Sequence, residues 1–274
     1  MYTVTCELKG GLGNQLFQIF NLISYSINHN MIFKFPKYKG MFSMDKKIFR
    51  PNYLNSFLVS QKNNITDINN FHNITESSSF KYKNLNNEKN KNIKLIGYFQ
   101  SFYYFEKNFD LIKKILLIDD IIEQIKKKKT IKPKSISIHF RIGDYSYCNI
   151  YPIMQSSYYI NSIKHIINED ETIENIYYFY EKNDFDKVNT KIKKIKNAFP
   201  NLNFININMN HDWEEMILMS LCNHNVIANS TFSWWAAYLN SNNNKIVCYP
   251  DKWIYKKKLI NEHLFPKNWI IINS

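Results

Sequence analysis

Apolar and polar positions alternate over residues 2–8, a β-branched run that predicts a strand. Lys9-Gly10-Gly11-Leu12-Gly13-Asn14-Gln15 follows as a tight loop. Leu16, Phe17, Phe20, Ile23 and Ile27 then mark a helix, and residues 31–35 the next strand, so the chain opens as a βαβ unit. The pattern fades over residues 36–93, where Asn, Lys and Ser clusters read as variable surface. Structure resumes at 95–101, followed by an aromatic run and a helix over 109–117. Residues 125–135, with the Lys126–Lys129 run and Pro133, read as a linker. Beyond it, strands are predicted at 135–140, 175–180, 203–207, 225–228 and 245–249. Helices are predicted near 156–168, 184–198, 212–222 and 231–240, the third with Asp212 as its cap and Glu215 three residues on. Strict alternation with short gaps predicts a doubly wound parallel sheet, whose ligands bind beyond the carboxyl ends of the strands.

Two of those strand ends carry chemistry. In the stretch 225–240 a short apolar strand, Val226-Ile227-Ala228, leads to cap chemistry at Asn229 and Ser230. Phe232, Trp235, Ala236 and Leu239 then repeat at i, i+3, i+4, i+7. Ser230, Thr231 and Ser233 bring three hydroxyls to a helix N-terminus, where first-turn N–H groups lack intrahelical partners and favour an anion. The competing reading is a well-capped core helix whose two tryptophans only pack. Where the strand at 135–140 ends stands His139-x-Arg141-x-x-Asp144. Arg141 can clamp two phosphate oxygens, with Asp144 spaced to hold the guanidinium; a structural ion pair is the alternative. Two anion sites at the mouth of one sheet point to a diphosphate.

Composition sharpens this picture. The 274 residues are 45% hydrophobic and 16% aromatic, which is a globular composition. Of the 36 basic residues only Arg50, outside every motif, and Arg141 are Arg. Three of the four Ala, Ala228, Ala236 and Ala237, fall in the stretch 225–240. The net charge of +13 raises nucleic acid or an anionic membrane as partners, but it is Lys scattered along the chain. Base readers rely on the bidentate Arg fork, so nucleic acid is not expected. Cys6, Cys148, Cys222 and Cys248 show no metal-ligand spacing and suggest a reducing compartment. No leading apolar run or membrane-length segment is present, so a soluble, cytoplasmic protein is expected. The first glycine cluster is not G-x-G-x-x-G, and the dinucleotide fingerprint fails.

Four ordered stretches carry a resemblance: Gly10-Gly11-Leu12-Gly13-Asn14-Gln15-Leu16-Phe17-Gln18, Gly97-Tyr98-Phe99-Gln100-Ser101, His139-x-Arg141-x-x-Asp144, and Ser230-Thr231-Phe232-Ser233-Trp234-Trp235-Ala236. Together they resemble the α-1,2-fucosyltransferases of glycosyltransferase family 11 across nearly the whole chain. The resemblance implies a GT-B-like α/β fold of two Rossmann-like domains facing a cleft. Domain spans of 1–125, on the acceptor side, and 135–274, binding the GDP-sugar, follow from it. It also implies inverting, metal-independent transfer of L-fucose from GDP-fucose to a hydroxyl, usually O2 of a galactose at the end of a glycan, with no cofactor. Carried over by position, Arg141 binds the β-phosphate, with Asp144 beside it, and His139 lies next to the nucleotide. Ser230, Thr231, Phe232 and Ser233 border the phosphates. Gly13 and Asn14 face the donor from the N-terminal domain, and Asp212 is a guanine partner. His139 and Asp144 are the candidates by location for general base, which stays unassigned. One departure stands out: the family motif usually reads His-x-Arg-Arg-x-Asp, and its second Arg is here Ile142, which leaves as alternatives the same fold with another nucleotide sugar, or a non-catalytic glycan-binding or nucleic-acid-binding protein.

Overall fold

The computed structural model describes residues 1–274 apart from 43–45, 47–48, 68, 78–79, 87, 89 and 256–262. The chain forms two compact units. The first holds Met1–Glu123 with a short return of the chain ending at Lys267, and the second begins at Gln124 and includes Asn268–Ser274.

In the first unit β1 (Thr3–Cys6) leads into α1 (Leu12–Asn28), followed by β2 (Ile32–Phe33), β3 (Phe35–Pro36), β4 (Gly40–Phe42), β5 (Phe49–Pro51), β6 (Ile65–Thr66), β7 (His72–Thr75) and β8 (Ile93–Ile96). The helix α2 (Phe109–Ile115) comes after them, and α3 (Ile118–Lys128) begins in this unit and ends in the second. A four-stranded sheet runs β2-β1-β8-β7 with every neighbouring pair parallel. Three expectations change here. Helix α1 starts at Leu12, so Gly13, Asn14 and Gln15 form its first turn rather than a loop; the Gln15 N–H already donates to the Gly11 carbonyl. Strand β7 lies in the stretch read as irregular surface: it is an edge strand with mostly exposed side chains, and so shows no apolar alternation. The first residues of the predicted linker belong to α3, whose Ile118 and Ile125 are buried. Acidic residues open that helix and lysines close it, matching its dipole.

The second unit alternates regularly: β9 (Ser135–Phe140), α4 (Ser156–Glu169), β10 (Asn175–Tyr180), α5 (Phe185–Ala198), β11 (Asn203–Asn206), α6 (Asp212–Ser220), β12 (His224–Val226), α7 (Thr231–Leu239), β13 (Val247–Pro250) and β14 (Ile270–Ile272). The six-stranded sheet has the order β11-β10-β9-β12-β13-β14, all parallel. In order of appearance this is the doubly wound arrangement, and the direction of winding reverses between β9 and β12. Every residue of β9 is buried, as in a strand covered on both faces. Ile136, Ile138 and Phe140 share a core cluster with Tyr158, Tyr159, Ile163 and Ile166 of α4 and Val188, Ile192 and Ile195 of α5. The cap of α6 is His211 rather than Asp212: the His211 N–H donates to the Glu214 carboxylate at 3.2 Å, one residue earlier than predicted.

Candidate functional site

The reversal between β9 and β12 places the segments after Phe140 and after Val226 at the carboxyl edge of one sheet. Arg141 leaves β9 with its side chain 13% exposed. Nη2 donates to Asp144 and Nη1 to Glu181, while the guanidinium lies 4.7 Å from the Tyr145 ring centroid. Burial works against the charge, but Glu181, Tyr145 and Asp144 outweigh it and hold the pKa above the ordinary arginine value. Burial likewise pushes the Tyr145 phenol up to about 12, and its hydroxyl donates to the Asn229 carbonyl at 3.1 Å, tying the two loops together. Gly143 is needed here: its φ is +27°, and a Cβ would stand 2.8 Å from Glu181 Oε2. Ile142 turns the other way and is buried in the core cluster with Phe140. An apolar side chain suits that position in this chain.

His139, the last residue but one of β9, is 5% exposed, and its ring lies 5.3 Å from that of Phe232. Burial, helped by the Arg141 charge and opposed by Glu181, lowers its pKa to about 3, so the ring is neutral. Its Nδ1 has no hydrogen-bond partner among the described residues.

Across the switch, Ser230 takes an extended backbone and caps α7, its Oγ accepting from the Phe232 N–H at 3.3 Å. Thr231 and Phe232 are half-buried in the first turn. Ser233 points inward: its hydroxyl is fully buried and donates to the Ser230 carbonyl at 3.3 Å. Of the three hydroxyls expected at the phosphates, the helix end thus presents Ser230 and Thr231. Phe232 also leaves the expected core face and packs on His139. Asn229 is a buried latch rather than a cap, its amide donating to the carbonyls of Pro152 at 2.9 Å and Trp253 at 3.2 Å. Trp234 and Trp235 are fully buried, Trp234 stacking on Tyr238 at 4.6 Å, and Ala228, Ala236 and Ala237 are fully buried with them. Packing therefore explains the alanines, and the three hydroxyls belong to the polar end of a packed helix.

Asp212 opens α6 beyond β11, the sheet edge two strands from β9, and its Oδ1 accepts from the Trp213 N–H at 2.8 Å. Next to it Glu215 accepts from the Met209 N–H at 3.0 Å, and burial, with Asp212 and Glu214 adding to it, raises its pKa to about 7. Sequence reasoning treated Glu215 as a capping partner and missed Glu181 altogether. A signal for Glu181 existed: β9 and β10 pair Phe140 with Tyr180, so the next residue on each strand, 141 and 181, emerges side by side.

In the first unit, Asn14 Oδ1 accepts from Gln100 Nε2 at 2.8 Å, joining the first two motifs. Gly10 has φ +80°, and a Cβ there would overlap the Asn14 amide. Arg50, which the sequence left outside every motif, runs beside this loop, its Cδ 3.7 Å from where a Gly11 Cβ would lie. Glu76, directly after β7, accepts from the Tyr98 N–H at 2.8 Å, and burial raises its pKa. All four cysteines are free thiols, and among the described residues no three His, Cys, Asp or Glu side chains group to hold a metal. No described helix is long and apolar enough to cross a membrane.

Comparison with known proteins matches the glycosyl transferase family 11 model to residues 1–273. An α-1,2-colitosyltransferase of Escherichia coli is 28% identical over the full length of both chains. A galactoside 2-α-L-fucosyltransferase of Caenorhabditis elegans is 25% identical over 97% of this chain and 78% of its own. In structure, the chain resembles the NodZ α-1,6-fucosyltransferase, solved from crystals soaked with GDP-fucose, with a TM-score of 0.50 over 87% of this chain and 92% of that one. At 10% identity that likeness speaks for the fold alone, which is GT-B. Matched by one family model from its first strand to its last, the chain belongs to glycosyltransferase family 11.

Proposed function

We propose that this glycosyltransferase moves L-fucose from GDP-fucose to O2 of a galactose at the end of an acceptor glycan, with inversion at the anomeric carbon. One observation carries the reading. Arg141 and the N-terminus of α7 stand on the two strands that flank the switch point of the second unit's sheet, where a nucleotide diphosphate is bound in folds of this class. Breaking the glycosyl–phosphate bond builds negative charge on the departing GDP. A fixed cation and a fixed helix end meet that charge without reorganising, which is the form of stabilisation that lowers a barrier most. GDP-fucose is a β-linked donor, so an α-linked product requires inversion.

The other residues take supporting roles. Asp144 holds Arg141 in place. His139, neutral and packed on Phe232, shapes the floor beside the nucleotide. The general base stays unassigned: Asp144 is paired with the guanidinium, and burial lowers the His139 pKa to about 3. Ser230 and Thr231 line the phosphates, while Ser233 keeps the turn closed. For Gly13 and Asn14 the support is the resemblance, together with the Asn14–Gln100 bond that fixes the first turn of α1.

The experiment is incubation with GDP-fucose and a panel of galactosides, followed by linkage analysis. Formation of an α-1,2-fucosyl galactoside is expected, and donor hydrolysis or transfer to none of the panel would refute the reading. A second donor has a specific observation behind it, the full-length likeness to a colitosyltransferase. Colitose is fucose without its 3-hydroxyl, so GDP-colitose in the same assay separates the two donors.

A further inference from the structure

Arg141 offers its two Nη groups to two different carboxylates, and these are unequal. Asp144 is three residues along the same loop with its side chain 8% exposed, and is held by its own segment. Glu181 comes from the neighbouring strand, is 23% exposed, and reaches the guanidinium past Gly143, where a Cβ would crowd it. A guanidinium flanked by two carboxylates sits in a cluster of net charge −1, which does not by itself attract a diphosphate. The same fork geometry that accepts a carboxylate accepts a phosphate. We infer that Glu181 holds the side of Arg141 that the donor diphosphate takes, and that the diphosphate displaces it by ion-pair exchange. The inference rests on the reading of Arg141 as the diphosphate clamp.

The exchange has a consequence for turnover. Glu181 keeps Arg141 paired and oriented between cycles, when an uncompensated buried guanidinium would be costly. It then competes with GDP after transfer and so favours product release. Asp144 stays bound throughout and keeps the guanidinium plane fixed.

Calorimetric titration of GDP into the full-length wild type, Glu181→Gln, Arg141→Ala and the double variant tests this. Glu181→Gln keeps the side-chain shape and removes the competing charge. A net charge-assisted bond of about 1–2 kcal/mol then predicts GDP binding tighter by about 5- to 30-fold. In the Arg141→Ala background the gain from Glu181→Gln should vanish, since no fork is left to contest; a gain that persists there is through-space repulsion and overturns the exchange. Unchanged or weaker GDP binding in Glu181→Gln, with Arg141→Ala still damaging, makes Glu181 a brace and overturns the inference alone. Undiminished binding in Arg141→Ala removes the reading of Arg141 itself, and the exchange with it.

Discussion

Arg141 is held by contacts that a lysine cannot copy. Lys keeps the charge but has one ammonium, which cannot serve Asp144 and Glu181 from opposite Nη groups while lying over Tyr145. Arg141→Lys should therefore lower kcat by about 10²–10³, the usual cost of losing one donor to a developing oxyanion. The loss should fall on kcat more than KM, because the diphosphate gains negative charge between the bound donor and the transition state. Retention of about a third or more of kcat would remove Arg141 from the leaving-group site. On the proposal that a guanidinium and a helix end meet the leaving-group charge, EDTA should leave the rate within about twofold; loss of activity restored by Mg²⁺ would contradict that. Glu215 gives a prediction independent of catalysis. Its pKa rises on folding, mainly through burial, from 4.5 to about 7. The neutral form is the one the fold accommodates, so its contribution is complete below pH 4.5 and is lost as pH rises through 7. Glu215→Gln should be the more stable protein at pH 8 by about 1–2 kcal/mol, and should match wild type at pH 4.5. Urea unfolding at the two pH values decides it, and equal stability at pH 8 would show that the carboxylate is solvated.

At the scale of elements, α7 joins packing to chemistry, and Ser230 sits where they meet. Ser230→Ala removes the acceptor of the Phe232 N–H and one hydroxyl proposed to line the phosphates. Stability should fall by about 1 kcal/mol and GDP affinity by a similar amount; a folded variant with unchanged affinity would turn this helix end away from the nucleotide. The bounds of β9, β10 and the start of α4 were readable because their apolar patterns are long and the gaps short. Strand β7 was not, because an exposed edge strand of His, Asn and Thr is held by its backbone ladder with β8 rather than by side-chain burial. Asparagine misled in another way. Read as variable surface over 36–93 and as cap chemistry at Asn229, it includes Asn225, Asn229 and Asn240, all buried, whose amides close loops onto backbone carbonyls. No local pattern separates such a latch from a surface asparagine. Ser233 misled for the same reason: its hydroxyl looks available in the sequence, and only the turn shows that it is spent on the Ser230 carbonyl.

At the scale of the whole molecule, the chain folds into two α/β units, each with a parallel sheet. The features proposed to bind the diphosphate, Arg141 and the end of α7, belong to the second unit alone, on loops that continue directly from β9 and β12. The Gly10–Gln15 segment and Gln100 belong to the first. GDP lacks the sugar, so it should engage only the second set. A ligand that binds the folded state at about 100 times its Kd stabilises it by about 2.7 kcal/mol, and the amides whose opening breaks the site gain that protection. Hydrogen exchange with saturating GDP should therefore slow in the segments around 139–147 and 226–235 and leave 3–15 and 93–101 unchanged. The loop tie from the Tyr145 hydroxyl to the Asn229 carbonyl sharpens the expectation, because ligand at either loop should protect both. Protection confined to one loop would break the paired site into two unrelated ones. Protection by GDP of the segment 3–15 alone would move nucleotide binding to the first unit and overturn the division of labour proposed for the two sheets.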